Sequence, residues 1–288
     1  MISKKKWGPS YQDLSVDVVI PTFNASQLFR GLWRSLKAKT EHAAQYIITD
    51  DASPESDLQQ QLREIETAQE LPVIVNRNIV RTGFPANCNK GASLGTGQLI
   101  VFLNADTRAT KGWLQVIVDE FLTHDETGIV GCRLLYPHEK SANASGRIQH
   151  AGVARNRDGA PYHIYRTMQA TDPKVMHRRE INAVTGAVLA IRRELFEDLQ
   201  GFDKVFAYGQ YEDIDLCWRA RTLEWNVVYV PEVMLYHYEH GSGEQYVGQT
   251  SEKNRKRLFD RWGNLGSDEG LFGEDTDVFD RTNLSAEG

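Results

Sequence analysis

Short β-branched runs alternate with helical patterns through the first hundred residues, as in a parallel sheet with crossover helices. Four runs read as strands: Asp17 to Ile20, Tyr46 to Thr49, Pro72 to Val75 and Leu99 to Leu103. Between the first two, Leu28, Phe29, Leu32, Trp33 and Leu36 recur at helical spacing and form one apolar face that should cover the sheet. From Arg133 to about Glu180 the periodicity is lost and Gly, Asn, His and Arg accumulate, which predicts long loops over the sheet rather than a separate domain. Regularity returns with an apolar stretch at Ala187 to Ile191, a short helix near Glu194 to Leu199 and a helix from about Glu212 whose apolar face is Leu216, Cys217, Ala220 and Leu223. A strand at Val227 to Val230 follows. Beyond Leu265 the chain is rich in Asp, Glu and Gly, and is expected to be flexible or to dock only through Leu271, Phe272 and Phe279.

In open parallel sheets ligands bind outside the carboxyl ends of the strands. Those ends are polar here: Pro21-Thr22-Phe23-Asn24, Asp50-Asp51-Ala52-Ser53 and Asn104-Ala105-Asp106-Thr107. Asp106 would project from a strand end, where a hard oxygen ligand could hold Mg²⁺ or Mn²⁺; the competing reading is a helix cap formed with Thr107. Asp50 and Asp51 could bond a base or ribose, or could make a turn with Ser53 and Pro54. Glu212, Asp213 and Asp215 suit a helix dipole. Asp213 also follows Tyr208-Gly209-Gln210-Tyr211, an aromatic approach fit for an acceptor, and could serve as a general base. His237 and His240 follow the last strand and could ligate a metal or simply be hydrogen-bonded. Gly83, Asn87, Asn89 and Gly91 head a helix but do not form a dinucleotide fingerprint, and no Walker A sequence occurs, so dehydrogenases and P-loop NTPases lack support.

The 288 residues, 41% hydrophobic and 25% charged, suffice for one large domain, or one domain with a tail. A net charge of −6 argues against wholesale nucleic-acid binding. Cys88, Cys132 and Cys217 lack metal-ligand spacing and read as free thiols in a reducing compartment. Lys4, Lys5 and Lys6 precede no apolar core of signal-peptide length, and no run approaches a membrane span, so the expected location is the cytoplasm with any membrane contact peripheral.

Taken in order, these motifs resemble the family 2 glycosyltransferases of the GT-A fold over roughly Val16 to Arg261. The resemblance rests on Val18-Val19-Ile20-Pro21-Thr22-Phe23-Asn24, Asp50-Asp51-Ala52-Ser53, Gly83-Phe84 through Asn89 and Gly91, and Leu103-Asn104-Ala105-Asp106-Thr107. It continues through Thr185-Gly186-Ala187 with Arg192-Arg193, Gly201-Phe202-Asp203, Glu212-Asp213-Ile214-Asp215-Leu216-Cys217-Trp218-Arg219 and His237-Tyr238-Glu239. It implies an α/β, Rossmann-like, mostly parallel sheet flanked by helices, with acceptor-side loops and a C-terminal helix. The implied division is an N-terminal extension at 1–15, a transferase domain at 16–263 with a nucleotide-binding half (16–107) and an acceptor half (108–263), and an acidic tail at 264–288.

The resemblance also implies roles. Asp51 with Asp50 would contact the base, and Pro21, Thr22 and Phe23 would wall its pocket. Gly83, Asn89, Asn104 and Ala105 would belong to the donor site, where Gly186 and Ala187 would let the backbone approach the sugar. Asp106 and His237 would hold a divalent cation, Mg²⁺ or Mn²⁺, and Asp213 would be the base of an inverting transfer. Two positions depart from the family pattern: Asn104 stands where the metal motif has an acidic residue, and His240-Gly241 follows Glu239. The implied donor is a UDP- or dTDP-linked sugar, and the acceptor a glycan or lipid-linked hydroxyl, as in bacterial surface polysaccharide synthesis. The alternative is a non-catalytic nucleotide-sugar-binding or scaffolding subunit; a nucleotidyltransferase would want a Gly-rich basic loop where Asn24-Ala25-Ser26 stands. Lys253, Arg255, Lys256, Arg257 and Arg261 surround Leu258, Phe259 and Trp262 on a helix that either packs on the domain or touches an anionic membrane.

Overall fold

A computed structural model describes residues 14–138, 144–155, 160–239 and 247–263. His240, Gly241, most of the N-terminal extension and the acidic tail lie outside the described residues. The four expected strands form as β1 (Val16–Thr22), β2 (Gln45–Asp50), β3 (Val73–Arg77) and β4 (Leu99–Leu103). They pair in parallel in the order β4-β1-β2-β3. The intervening helices are α1 (Ser26–Lys39), α2 (Ser56–Ala68) and α3 (Phe84–Ala92). Alternation along β1 divides its side chains between two cores, as the two-residue period of a strand requires. Val18 and Ile20 pack with Phe29, Leu32 and Leu36 of α1, whereas Val19 packs with Ile47, Phe102 and residues from later in the chain.

The sheet continues through the second half: β6 (Thr127–Leu135), β11 (Val188–Arg192) and β12 (Asn226–His237) extend it past β4. β11 lies antiparallel between β4 and β6, so the sheet is mixed rather than wholly parallel. Two short strands, β5 (Thr107–Ala109) and β7 (Ile148–His150), attach to β12 and β6. Helix α4 (Trp113–Thr123) joins α1 and α2 on one face. The other face carries α3 and α6 (Glu212–Thr222), with α5 (Arg193–Asp198) and α7 (Val247–Trp262) beside them.

Several expectations are corrected. The last strand runs to His237, beyond Val230: Pro231 lacks an N–H and breaks the ladder, so the register shifts between Val230 and Met234 before pairing with β6 resumes. His237 is therefore a strand residue, fixed opposite Thr107 of β5, rather than a loop residue. Asp106 caps no helix, because Thr107 opens a strand and the next helix starts at Trp113 after Gly112. Leu223 is partly exposed past the end of α6, and Trp218 takes the place in the core. The excursion after Arg133 contains β7, the hairpin β8–β9 (Val153–Arg155 and Pro161–His163) and the edge strand β10 (Arg179–Glu180). All three cysteines are buried and free. No helix among the described residues is long and apolar enough to cross a membrane.

Candidate active site

From β1 the chain steps outward through β2 and β3, then returns to the other side of β1 with β4. Loops leaving the carboxyl ends of β1 and β4 therefore diverge and leave a crevice. A cleft of about 360 Å³ opens there, within the range of small-molecule sites. It is lined by Pro21, Thr22 and Phe23 at the end of β1, Asp51 just after β2, and Asn104, Ala105 and Asp106 just after β4. Gly83, Gly186, Ala187, Asp213 and His237 complete the set of expected residues that the fold brings together. Asp50 and Asn89 are not among its lining residues. The Asp50 carboxylate turns back to accept hydrogen bonds from the Ser53 backbone N–H and hydroxyl, the turn chemistry that competed with a binding role. Asn89 clasps the backbone of Phe202, donating to its carbonyl at 2.8 Å and accepting from its N–H at 2.9 Å.

Asp51 points the other way from Asp50, as successive side chains at a strand end do. Its Oδ1 accepts from Thr82 N–H and Oγ1, both at 2.8 Å, and from Asn78 Nδ2 at 3.0 Å; its Oδ2 accepts from Gly83 N–H at 2.8 Å. The carboxylate thus fixes the 78–83 loop along the cleft. Gly83 is required there: its φ is +86°, and a Cβ would come within 2.7 Å of the Tyr208 backbone nitrogen. From this loop Arg81 lies over the Phe23 ring at 3.8 Å, with the Tyr208 ring at 5.5 Å.

Across the cleft, a turn after β4 carries Asp106, whose carbonyl accepts from Tyr238 N–H at 2.9 Å. This bond and the β5–β12 ladder set Asp106 beside His237, with Oδ1 3.1 Å from Nε2. Gln149 of β7 orients the imidazole. Its Nε2 donates to the His237 carbonyl at 3.1 Å, so its Oε1 must accept, and it lies 2.7 Å from His237 Nδ1. Nδ1 therefore carries a proton, and Nε2 is the ring nitrogen that faces the Asp106 carboxylate. An oxygen and a nitrogen donor facing one another, with the second ring nitrogen held by an amide, suit a divalent cation. Among the described residues no group of three or more His, Cys, Asp or Glu could hold a metal, so protein side chains of these types supply only part of a coordination shell.

The third wall is the head of α6. Asp213 Oδ2 accepts from Gly186 N–H at 2.7 Å, and its Oδ1 from Ile214 N–H at 2.8 Å. Burial raises its pKa, and these two donors oppose the rise. Beside it Glu212 is 4% exposed, lines the cleft, and has a buried Oε2 with no hydrogen-bond partner. Burial first, and then the neighbouring Asp213 and Asp215, push the Glu212 carboxyl well above its usual range. The approach to this helix is left-handed at four successive residues, Tyr208, Gly209, Gln210 and Tyr211, with φ of 63°, 112°, 74° and 74°. Such backbone costs roughly 1 kcal/mol or more at each non-glycine residue. Asn254 of α7 holds it by donating to the carbonyls of Ala207 and Gly209, at 3.1 and 2.8 Å.

The nucleotide-side part of this cleft falls within a known sequence pattern: the family model described as glycosyl transferase family 2 matches residues 17–200. The chain belongs to glycosyl transferase family 2. It is 28% identical over 233 residues to the uncharacterized protein y4gI of Sinorhizobium fredii, covering 79% of this chain and 25% of that one. It is equally similar, over 241 residues, to the O-antigen biosynthesis protein RfbC of Myxococcus xanthus, covering 79% and 17%. The chain thus spans a quarter or less of these two relatives. Among solved structures, GalNAc-T7 with UDP, GalNAc and Mn²⁺ superposes with a TM-score of 0.71 at 20% identity, over 89% of this chain and 50% of that one. The expected GT-A architecture therefore holds. In this family 2 chain, sequence reasoning missed Arg81, Gln149 and Glu212 as parts of the site. Gln149 stands in the aperiodic excursion, where no spacing marks it; Glu212 was visible only as a first-turn acid.

Proposed function

We propose that the chain transfers a sugar from a nucleoside-diphosphate sugar to an acceptor hydroxyl with inversion at the anomeric carbon. The observation that carries this reading is the convergence, in one cleft, of the half-buried Asp213 carboxylate with the Asp106–His237 pair. The Asp51-clamped loop and Phe23 form the wall assigned to the nucleotide. Asp213 is the base: it takes the acceptor proton as the oxygen attacks the anomeric carbon, because a neutral hydroxyl is a weak nucleophile. Gly186 N–H fixes the orientation of that carboxylate. Asp106 and His237 would hold a divalent cation, which when bound would neutralise charge developing on the departing diphosphate. One displacement suffices, so no second carboxylate need form a covalent intermediate. Mn²⁺ in the GalNAc-T7 structure and the name of the Myxococcus relative favour a metal-dependent transfer in surface polysaccharide synthesis.

Thermal-shift titration tests the reading with UDP, dTDP, GDP, CDP and their sugars, each with and without Mg²⁺ or Mn²⁺. A ligand that binds only the folded chain raises the melting temperature. The expected result is a metal-dependent shift with one nucleotide, reduced in Asp106→Ala. Absence of any shift across the panel, with and without acceptor glycans, would overturn it.

A further inference from the structure

A strand at the edge of a sheet leaves backbone N–H and C=O groups unpaired, and proteins blunt such edges with charge, proline or a covering element. β3 ends the order of the sheet, so one of its two sides meets no strand among the described residues. Tyr46 N–H donates to the Pro72 carbonyl and Asn78 N–H to the Asp50 carbonyl, each at 2.8 Å, so alternate residues from Pro72 to Asn78 turn their polar groups toward β2. Val73, Val75 and Arg77 therefore turn theirs outward, where no described residue pairs with them. The side chains of β3 protect this edge little. None of them is buried, Ile74 is 36% exposed, and Arg77, the one charge on the strand, is taken by Glu66 at 2.6 Å. Just beyond it stand Ile79 and Val80, 97% and 67% exposed, the most exposed large hydrophobics among the described residues. This tip is pinned on both sides, because Asp51 accepts from Asn78 before it and from Thr82 and Gly83 after it.

The geometry points to a second copy of this chain as the occupant of this edge, its β3 running antiparallel to the first about a two-fold axis at Val75. The free groups are self-complementary in that register. Val75 pairs with Val75 of the second copy and Val73 with Arg77 in both directions, so every outward N–H and C=O finds a partner. No like charges meet, since Arg77 stands opposite Val73 and Ile74 opposite Asn76. Because Arg77 of one copy lies opposite Val73 of the other, the Ile79–Val80 tip comes to the end where the second chain enters β3 through Leu71 and exposed Pro72. A strand of unrelated sequence would match the backbone groups alone; a copy of this chain also places an apolar tip at each end of the contact. The interface abuts the loop that Asp51 clamps along the cleft, and it does not depend on the transferase reading.

Sedimentation velocity of the full chain over a dilution series should show a reversible dimer. Val75→Pro removes the outward N–H at the axis, which β2 does not use, and should abolish the dimer while leaving the circular dichroism spectrum unchanged. Ile79→Ser combined with Val80→Ser should weaken the dimer by about tenfold or more, through lost apolar burial. Cross-linking gives a reading that does not rely on the proline variant folding. Cα atoms of a hydrogen-bonded antiparallel pair lie about 5.5 Å apart, inside the roughly 4.4–6.8 Å range of disulfides. The three native cysteines are buried, so mild oxidation should join Val75→Cys into a covalent dimer on non-reducing gels. Val73→Cys, set opposite Arg77 of the second copy, should stay monomeric there. The inference is overturned by a wild type that is monomeric at every concentration, by a dimer that persists in folded Val75→Pro or is unweakened in the tip variant, or by cross-linking as efficient in Val73→Cys as in Val75→Cys.

Discussion

Glu212 and Asp213 are adjacent carboxyls in one helical turn, yet their surroundings divide them. Two backbone N–H groups stabilise negative charge on Asp213, and nothing comparable serves Glu212 Oε2. Environments that push neighbouring carboxyls apart in this way assign different roles to them. Asp213→Asn should lower turnover by about 10²–10⁴-fold with nucleotide-sugar affinity close to wild type, measured by steady-state kinetics and calorimetry. Retained turnover would remove Asp213 from the mechanism. His237 depends on a similar arrangement. Gln149→Leu deletes the acceptor that holds Nδ1–H, and should weaken cation binding about 10- to 100-fold without altering metal-free nucleotide affinity. An unchanged metal titration would mean that Gln149 serves only the backbone of β12.

Elements are positioned by a few buried polar ties set within apolar packing. α7 docks Leu258 and Trp262 into the core, with Trp262 edge-on to Trp218 at 5.7 Å. Fully buried Asp215 accepts from Arg219 Nε and Arg261 Nη1, both at 2.8 Å, and from Trp262 Nε1 at 2.9 Å, joining α7 to α6. Of the basic residues on this helix, Arg261 and Arg257 are thus directed inward, Arg257 donating to the Val205 carbonyl at 2.6 Å. This favours the packing role over the membrane role for that face. Asp215→Ala leaves the buried Trp262 indole N–H and the partly buried Arg219 Nε without their acceptor and should cost about 1–3 kcal/mol in urea denaturation. Because Asn254 on the same helix holds the left-handed 208–211 approach, the variant should also lower acceptor turnover at temperatures where it remains folded. A loss below 1 kcal/mol would show that apolar contacts alone seat α7.

Over the whole molecule, the two halves inferred from sequence share one sheet. β11, from the second half, lies between β4 and β6, and Arg193 beside it reaches back to Asp17 at 2.6 Å and to the carbonyls of Gly97 and Ala92. Removing the second half would expose the β4 edge and the core face formed by Val19, Ile47 and Phe102. A fragment ending at residue 107 should therefore lack a cooperative thermal transition, while residues 14–263 should unfold in a single one by circular dichroism. A cooperative transition in the fragment would show that the nucleotide half folds by itself.

Local chemistry made much of this legible without the structure. Apolar alternation and helical spacing gave β1 to β4 and α1, because burial of one face imposes its period on neighbouring residues. Polar strand ends marked the cleft, because parallel topology directs those ends to one edge. Asp106, Asp213 and His237 stood out by residue type and by family resemblance. Tertiary structure decided the rest. Which of Asp50 and Asp51 faces the cleft depends on Ser53 on one side and the 78–83 loop on the other. Asn89 was claimed by the Phe202 backbone, a partner distant in sequence. The orientation of the His237 ring came from Gln149, and the upward push on the Glu212 carboxyl came from burial that no local pattern records. The sequence by itself determined the elements and the chemical types at their ends, since these follow from neighbouring residues; the partners and environment of each group were set only by long-range packing.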